Sequence, residues 1–327
     1  MYSMNHDIVF KTNGKRWKLQ LLSSVEIVSS AENLVDTAVI VLPETVLNKV
    51  LNIEDKVQRG SEVVIQLGYD GKLKQEFVGY VTEVNNKSGA LEITCEDALF
   101  IFRKAVKDKV FKPAPVKTVL EYLISEVDSS FGLEMDTDYG ITYEKYTIYQ
   151  AEAYDVLKKI QEELKANIYF DTANKTLYFH APYKGSKGKV KYDLSRNVES
   201  SSLEYKKSQN RKLEVVIEST GVDGKITEVS VGTQGGEKIN MKVGAMSKED
   251  MKKIAESMLV EKNADKYEGS IDTWLIPYVE PTYTASFKDD DYPDRNGSYY
   301  VTSVTTSFSD AGGKRTVSFG IKLNDKK

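Results

Sequence analysis

A single cysteine, Cys95, in 327 residues excludes an intrachain disulfide framework and any zinc site built on a cysteine cluster. Histidine is nearly as scarce. His6 and His180 stand isolated, so neither a His/Cys transition-metal centre nor a nucleophile–histidine pair has the residues it needs. His6 is expected in a frayed N-terminal tail and His180 at the close of a strand. No Gly-x-Ser-x-Gly elbow occurs. No apolar run nears the ~20 residues that span a bilayer. Met1–Asp7 lacks the apolar region of a signal peptide, so the expectation is folding in the cytosol with no stable membrane association. An excess of one charge is missing too: 45 Lys and Arg against 49 Asp and Glu give −4, without the basic footprint of a nucleic-acid binder.

What is present is an ordinary globular balance, 40% hydrophobic and 29% charged, in a chain long enough for roughly two to four domains. Residues 7–103 alternate with period two over Trp17–Leu21, Thr37–Leu42 and Val63–Leu67. Turn signals fall at Asn13-Gly14, Asp70-Gly71 and Ser88-Gly89, and a short helical turn is expected around Glu44–Leu51. After Pro113-Ala114-Pro115 the period becomes 3.6. Val116, Val119, Leu120, Leu123, Ile124 and Val127 define one helix, and Val156, Leu157, Ile160 and Leu164 a second over about Ala151–Lys165. A hairpin follows, Asn167–Asp171 with Thr176–His180. Beyond the Gly/Lys/Ser-rich joint Lys184–Lys189 come strands at Leu203–Tyr205, Leu213–Ser219 and Ile226–Gly232. Ser247 then caps a third helix through Asp250, and strands return from Gly269 to Leu323.

The expected fold class is mainly β with an α+β insert: two small tube-like β-barrels flanking an α+β domain. The expected boundaries are residues 1–105 for the first barrel, 106–185 for the insert, and 186–327 for the second barrel with a helix near 248–262. Cys95, in the alternating strand Leu91–Cys95, reads as a small core residue.

Candidate chemistry is thin. Gly232–Lys238 has glycines and a lysine without P-loop spacing or a following helix, and reads as a flexible hairpin loop. Asp289, Asp290, Asp291 and Asp294 could offer alternate carboxylates to a hard cation. Pro293 falls where a calcium loop needs Asp or Asn, however, and no closing glutamate follows, so they read as a solvated acidic interaction loop. Carboxylate pairs for glycoside hydrolysis are defined by distance and not by spacing, and no Glu is singled out. Tyr139, Tyr143, Tyr146, Tyr149 and Tyr154 cluster around the insert and read mainly as half-buried sheet and helix residues. No catalytic residue, cofactor site or metal site is assigned.

One pattern stands above these. Tyr80-Val81-Thr82-Glu83-Val84 returns 220 residues later as Tyr300-Val301-Thr302-Ser303-Val304. Each copy is followed by a glycine turn (Ser88-Gly89, then Gly312-Gly313) and an alternating return strand, Leu91–Cys95 or Thr316–Ile321. Val63–Leu67 and Tyr283–Phe287 precede them at equal offsets, so a strand–hairpin–strand–turn–strand unit occurs twice. A duplicated β-unit without catalytic signatures points to assembly.

The segments Phe77–Val84 with Leu91–Ala98, the helix–hairpin Tyr154–Phe179, and Tyr292–Val301 together resemble the baseplate hub proteins of contractile phage tails. These are the late control protein D-like family, related to the N-terminal part of type VI secretion spikes. The likeness runs over nearly the whole chain. It implies a non-enzymatic homotrimer whose six β-modules form a ring with a central channel, joining a sixfold tail tube to a threefold spike. The implied partners are the tail tube protein and central spike protein, with tape-measure and wedge proteins as further neighbours, and DNA or effectors only as transiting cargo. The implied location is the tail baseplate of a virion, tailocin or injection particle, assembled in the bacterial cytoplasm. The chain ends at Lys327 without a fused spike helix or lysozyme-like domain, so spike and hydrolase are expected to be separate proteins. The competing readings are a tail-associated carbohydrate- or receptor-binding module and a peptidoglycan hydrolase.

Overall fold

The computed structural model describes residues 3–43, 53–87, 89–127, 132–184, 186–208 and 212–323. The helical turn expected around 44–51 lies outside them. The protein is mainly β, with large antiparallel sheets and a few helices.

Among the described residues, seven strands make the N-terminal part: β1 (Met4–Thr12), β2 (Lys15–Lys18), β3 (Ser24–Ser30), β4 (Thr37–Leu42), β5 (Glu62–Tyr69), β6 (Lys72–Lys87) and β7 (Ala90–Glu96). Asn13-Gly14 and Asp70-Gly71 hold φ of 50°/76° and 51°/73°, the doubly positive pair that two-residue hairpins require. Alternation sorts the faces. β4 buries Ala38, Ile40 and Leu42, and β7 buries Leu91, Ile93 and Cys95, all in one core. Burial also pushes the Cys95 thiol well above its ordinary range. Two expectations need correction. The strand read over Trp17–Leu21 ends at Lys18, where the Leu19 amide turns back to the Ile8 carbonyl at 2.9 Å and its side chain enters the core. His6 is not in a frayed tail: β1 begins at Met4, pairs His6 with Leu67 of β5, and sets the imidazole edge-on to Phe308 at 6.1 Å.

The C-terminal part repeats this plan. Ser270–Trp274, Thr284–Lys288, Gly297–Ser309 and Gly312–Leu323 pair in the spatial order first–fourth–third–second, as β4, β7, β6 and β5 do. The turn falls at Asp310-Ala311 instead of the glycines, because Gly312 at φ 137° is already paired with Ser309. The duplication extends to an irregularity. β6 carries one extra residue against β7 between Val81 and Glu83, and Gly297–Ser309 carries one against Gly312–Leu323 between Val301 and Ser303. Both bulges therefore sit at the threonine of the repeated motif, Thr82 and Thr302. A bulge bends its strand and steepens the twist, so each unit curves at the same point. At the first, the Thr82 hydroxyl donates to the Thr94 carbonyl at 3.0 Å, occupying a carbonyl beside the break in the ladder.

Between the units the periodicity change is realised. Helix α1 (Val116–Val127) buries Val116, Val119, Leu120, Leu123 and Val127. Helix α2 (Ala153–Leu164) buries Val156, Leu157, Ile160 and Leu164, and stops where Lys165 turns left-handed at φ 51°. The hairpin Asn167–Asp171/Thr176–His180 gains a parallel neighbour, Glu134–Thr137. Helix α3 (Lys248–Asn263) starts where the Ser247 hydroxyl accepts from the Asp250 amide at 3.1 Å. Its Met251, Ile254 and Ala255 share one hydrophobic core with Leu157, Ile160, Val215 and Ile217. The segment Gly232–Lys238 is not a flexible hairpin loop. It crosses over into strand Glu237–Val243, which pairs parallel to Leu213–Thr220 on the edge opposite Ile226–Gly232. Glycine is needed there: Gly232 has φ 113°, and a Cβ on it would lie 2.2 Å from the Leu213 carbonyl oxygen.

Candidate assembly interface

The two β-units are spliced edge to edge. Strand β3 pairs antiparallel with Gly297–Ser309 from Ser30↔Ser303 to Ser24↔Ser309, making the sheet continuous from one unit to the other. Below that ladder, Val25, Ile27, Val304 and Phe308 are buried. Phe308 belongs to the core of the N-terminal unit and Val304 to that of the C-terminal unit.

A buried ion pair locks the same junction. Arg315, 1% exposed, forks onto Glu76 of β6 through Nη2–Oε1 at 2.6 Å and Nη1–Oε2 at 2.8 Å. Its remaining donors reach the Thr306 hydroxyl at 2.9 Å and the Leu275 carbonyl at 3.1 Å, and the guanidinium stacks 4.9 Å from the Tyr278 ring centre. Burial raises the Glu76 pKa, and the Arg315 charge pulls it partly back. Next to the pair, the Tyr69 hydroxyl of β5 donates to the Gly313 carbonyl at 2.9 Å. A bidentate pair so fully enclosed fixes geometry more than it adds stability, because desolvation offsets much of the attraction.

An acidic pocket of about 130 Å³ lies between β3, β6 and the hairpin Asn167–Asp171/Thr176–His180. Ser30 donates its amide to Asp36 Oδ1 at 2.9 Å, and Asp36 donates its own to Asp97 Oδ2 at 3.1 Å. Asp97 also accepts from the Leu99 amide at 2.9 Å, capping the short 3₁₀ turn Ala98–Phe102. Burial pushes the Asp36 pKa up to about 6. Burial raises Asp97 further, with the Asp36 charge adding to it.

The acidic loop of the sequence reading is a folded turn. Asp289 is buried, and its Oδ1 accepts from the amides of Asp291 (3.0 Å) and Tyr292 (3.1 Å). Asp290 pairs with Lys288 at 2.9 Å and Asp294 with Lys207 at 3.2 Å, so these carboxylates diverge. His180 lies between Asp138 and Asp136, with Nδ1 and Nε2 at 3.2 and 3.6 Å. Of the clustered tyrosines, Tyr139, Tyr143 and Tyr146 are buried, Tyr149 is exposed, and Tyr154 lies 4.1 Å beneath the Arg103 guanidinium. Among the described residues no group of three or more His, Cys, Asp or Glu is arranged to hold a metal ion. The junction residues Glu76 and Arg315 escaped sequence reading, although an arginine in an alternating strand beside Val317 and Phe319 was a usable signal.

No family model matches the chain, and no curated protein does. Solved structures do. A tail protein from Neisseria meningitidis MC58 aligns with TM-score 0.67 and 12% identity, covering 98% of this chain and 97% of that one. The 43 kDa tail protein of prophage MuSo2 from Shewanella oneidensis gives 0.63 and 14%, over 96% and 98%. An E. coli component of the type VI secretion system, itself described as similar to bacteriophage T4 tail proteins, gives 0.64 and 11%, over 97% and 77%. The chain has the fold of these tail and type VI secretion proteins. The resemblance carried by Phe77–Val84 with Leu91–Ala98, Tyr154–Phe179 and Tyr292–Val301 holds at the level of fold.

Proposed function

We propose that this chain is a non-enzymatic hub subunit of a contractile tail or related injection particle. Three copies form a ring of six β-units around a channel, joining a sixfold tube to a threefold spike. The observation that carries this reading is the repeated four-strand order with its shared bulge, fused through one continuous sheet. A subunit holding two like modules side by side presents threefold symmetry to one neighbour and near-sixfold symmetry to another. The fold shared along its length with tail and type VI secretion proteins supports the same reading.

In this arrangement the two β-units line the ring, and the α1–α3 core stands against it as a buttress. Tube and spike proteins are the partners, and nucleic acid or effector is cargo in transit. Shape and multivalent contact carry the mechanism, so replacing His6 or His180 leaves assembly intact.

Size-exclusion chromatography with light scattering over a concentration series tests this. The expected result is a species near three times the 36.8 kDa chain mass. A monomer at every concentration, unchanged by adding purified tube and spike proteins, overturns it.

A further inference from the structure

The internal junction has an unoccupied counterpart. Strand pairing matches the two units residue by residue. Glu83 and Val84 face Thr94 and Ile93 as Ser303 and Val304 face Ser318 and Val317. Thr94 and Ile93 then face Val39 and Ile40 as Ser318 and Val317 face Ser270 and Ile271. One step further out, Ser24↔Val41 and Val28↔Thr37 correspond to Ser200↔Asp272 and Glu204↔Glu268. A single offset serves both of these last pairs. The run Ser200–Lys206 is therefore the C-terminal unit's version of β3.

In the chain, β3 is covered on its outer edge by Gly297–Ser309. Its counterpart Ser200–Lys206 pairs inward with Ser270–Trp274 and Lys266–Glu268, and among the described residues no strand lies on its other edge. The counterpart of the covering strand is the far half of β6. Strand β5 leaves β6 at Tyr80, the Arg59 guanidinium takes the Thr82 carbonyl at 2.8 Å, and beyond it no described strand flanks Glu83–Asn85 opposite β7. Exposure follows suit. Glu83 and Asn85 are exposed and Val84 only half-buried, whereas its match Val304 is 3% exposed inside the closed junction.

We propose that these two open edges are the two sides of the seam between copies. Glu83–Asn85 of one copy pairs antiparallel with Glu204–Lys206 of the next, in the register Glu83↔Lys206, Val84↔Tyr205, Asn85↔Glu204. This rests on the ring reading above and adds which strands meet and how. Unpaired strand edges seek backbone partners, and a like unit with the complementary edge is the partner already accommodated within the chain. The register suits the side chains. Glu83 meets Lys206, extending the pair that Lys206 makes with Glu204, and Val84 meets the ring of Tyr205. The contact is head-to-tail, using different surfaces on its two sides, and such contacts close into rings when the rotation per step allows.

Disulfide trapping tests the seam in the full-length chain. Cys95 is fully buried, so it does not compete with introduced cysteines. The variant Asn85→Cys/Glu204→Cys places thiols at two exposed, facing positions. Oxidation is expected to convert most of the protein into a covalent trimer on non-reducing gels, with neither single variant doing so. The slipped pair Asn85→Cys/Ser201→Cys is expected to remain uncrosslinked. A trimer by light scattering with no crosslink at the matched pair, or equal crosslinking of the slipped pair, refutes the seam and leaves the ring standing. A monomer with no crosslink that persists after purified tube and spike proteins are added removes both.

Discussion

Replacing Arg315 with methionine isolates the junction between the two β-units. The substitution keeps an apolar stem and removes the guanidinium, with its contact to Tyr278 and four hydrogen bonds: two to Glu76 and one each to Thr306 and Leu275. It leaves the Glu76 carboxylate buried and unpaired, a situation that costs about 3–5 kcal/mol. The loss depends on pH in a definite direction. Burial already raises the folded-state pKa of Glu76, and losing the Arg315 charge raises it further. The protonated acid fits the folded protein better than the ionised one. The deficit of the variant is thus full above that raised pKa and shrinks as pH falls through it. Urea unfolding at pH 7 and at pH 4.5 measures this. The two tryptophans, Trp17 in β2 and Trp274 beside the junction, report on one unit each. A Glu76→Met/Arg315→Met double variant should recover at least half the loss, since a matched apolar pair removes the stranded charge. A deficit under ~1 kcal/mol at pH 7, or one that is constant with pH, would refute the reasoning.

Three further outcomes follow from the acidic groups. Asp36→Asn keeps an acceptor for the Ser30 amide and removes a group whose folded pKa, about 6, exceeds its unfolded value. Asp36 therefore contributes stability that is lost as pH rises from 4 through 6, and the variant should lack that part of the pH dependence, with a difference of roughly 1–3 kcal/mol at pH 7 in thermal or urea melts. Asp289→Ala strips the acceptor shared by the Asp291 and Tyr292 amides, and should cost about 1 kcal/mol. Millimolar calcium should leave the melting temperature of both forms unchanged, because Asp290 and Asp294 are held apart by lysines.

Much of the local architecture is legible in the letters. The alternation of Thr37–Leu42 and Leu91–Cys95, the helical stripes of α1 and α2, and the turns at Asn13-Gly14 and Asp70-Gly71 are all encoded within a few residues of where they act. What could not be read is what long-range pairing decides. Period-two alternation says that Leu213–Thr220 is a strand, and says nothing of a parallel neighbour at Glu237–Val243. The stripe on α3 predicts a helix without saying that Met251 and Ile254 join the core of α2. The junction residues Glu76 and Arg315 are 239 positions apart, and only folding makes them neighbours. For His6 a chain end suggests fraying, and only the pairing with β5 shows otherwise.

The splice between β3 and Gly297–Ser309 also constrains how the protein is made. Its partners lie at opposite ends of the chain, Ser24 meeting Ser309. At ordinary elongation speeds, on the order of 10–60 s separates their emergence from the ribosome. For that interval a nascent N-terminal unit carries β3 as a bare edge, the kind of surface that recruits strands from neighbouring nascent chains. The strand's own residues guard against this: Ser24, Glu26, Ser29 and Ser30 break its apolar run, and Glu26 holds a charge at its centre until Ser307 arrives opposite it. Translation order thus makes the last long hairpin the clasp. A chain cut short before it would be left with an open, sticky edge and no means of closing it.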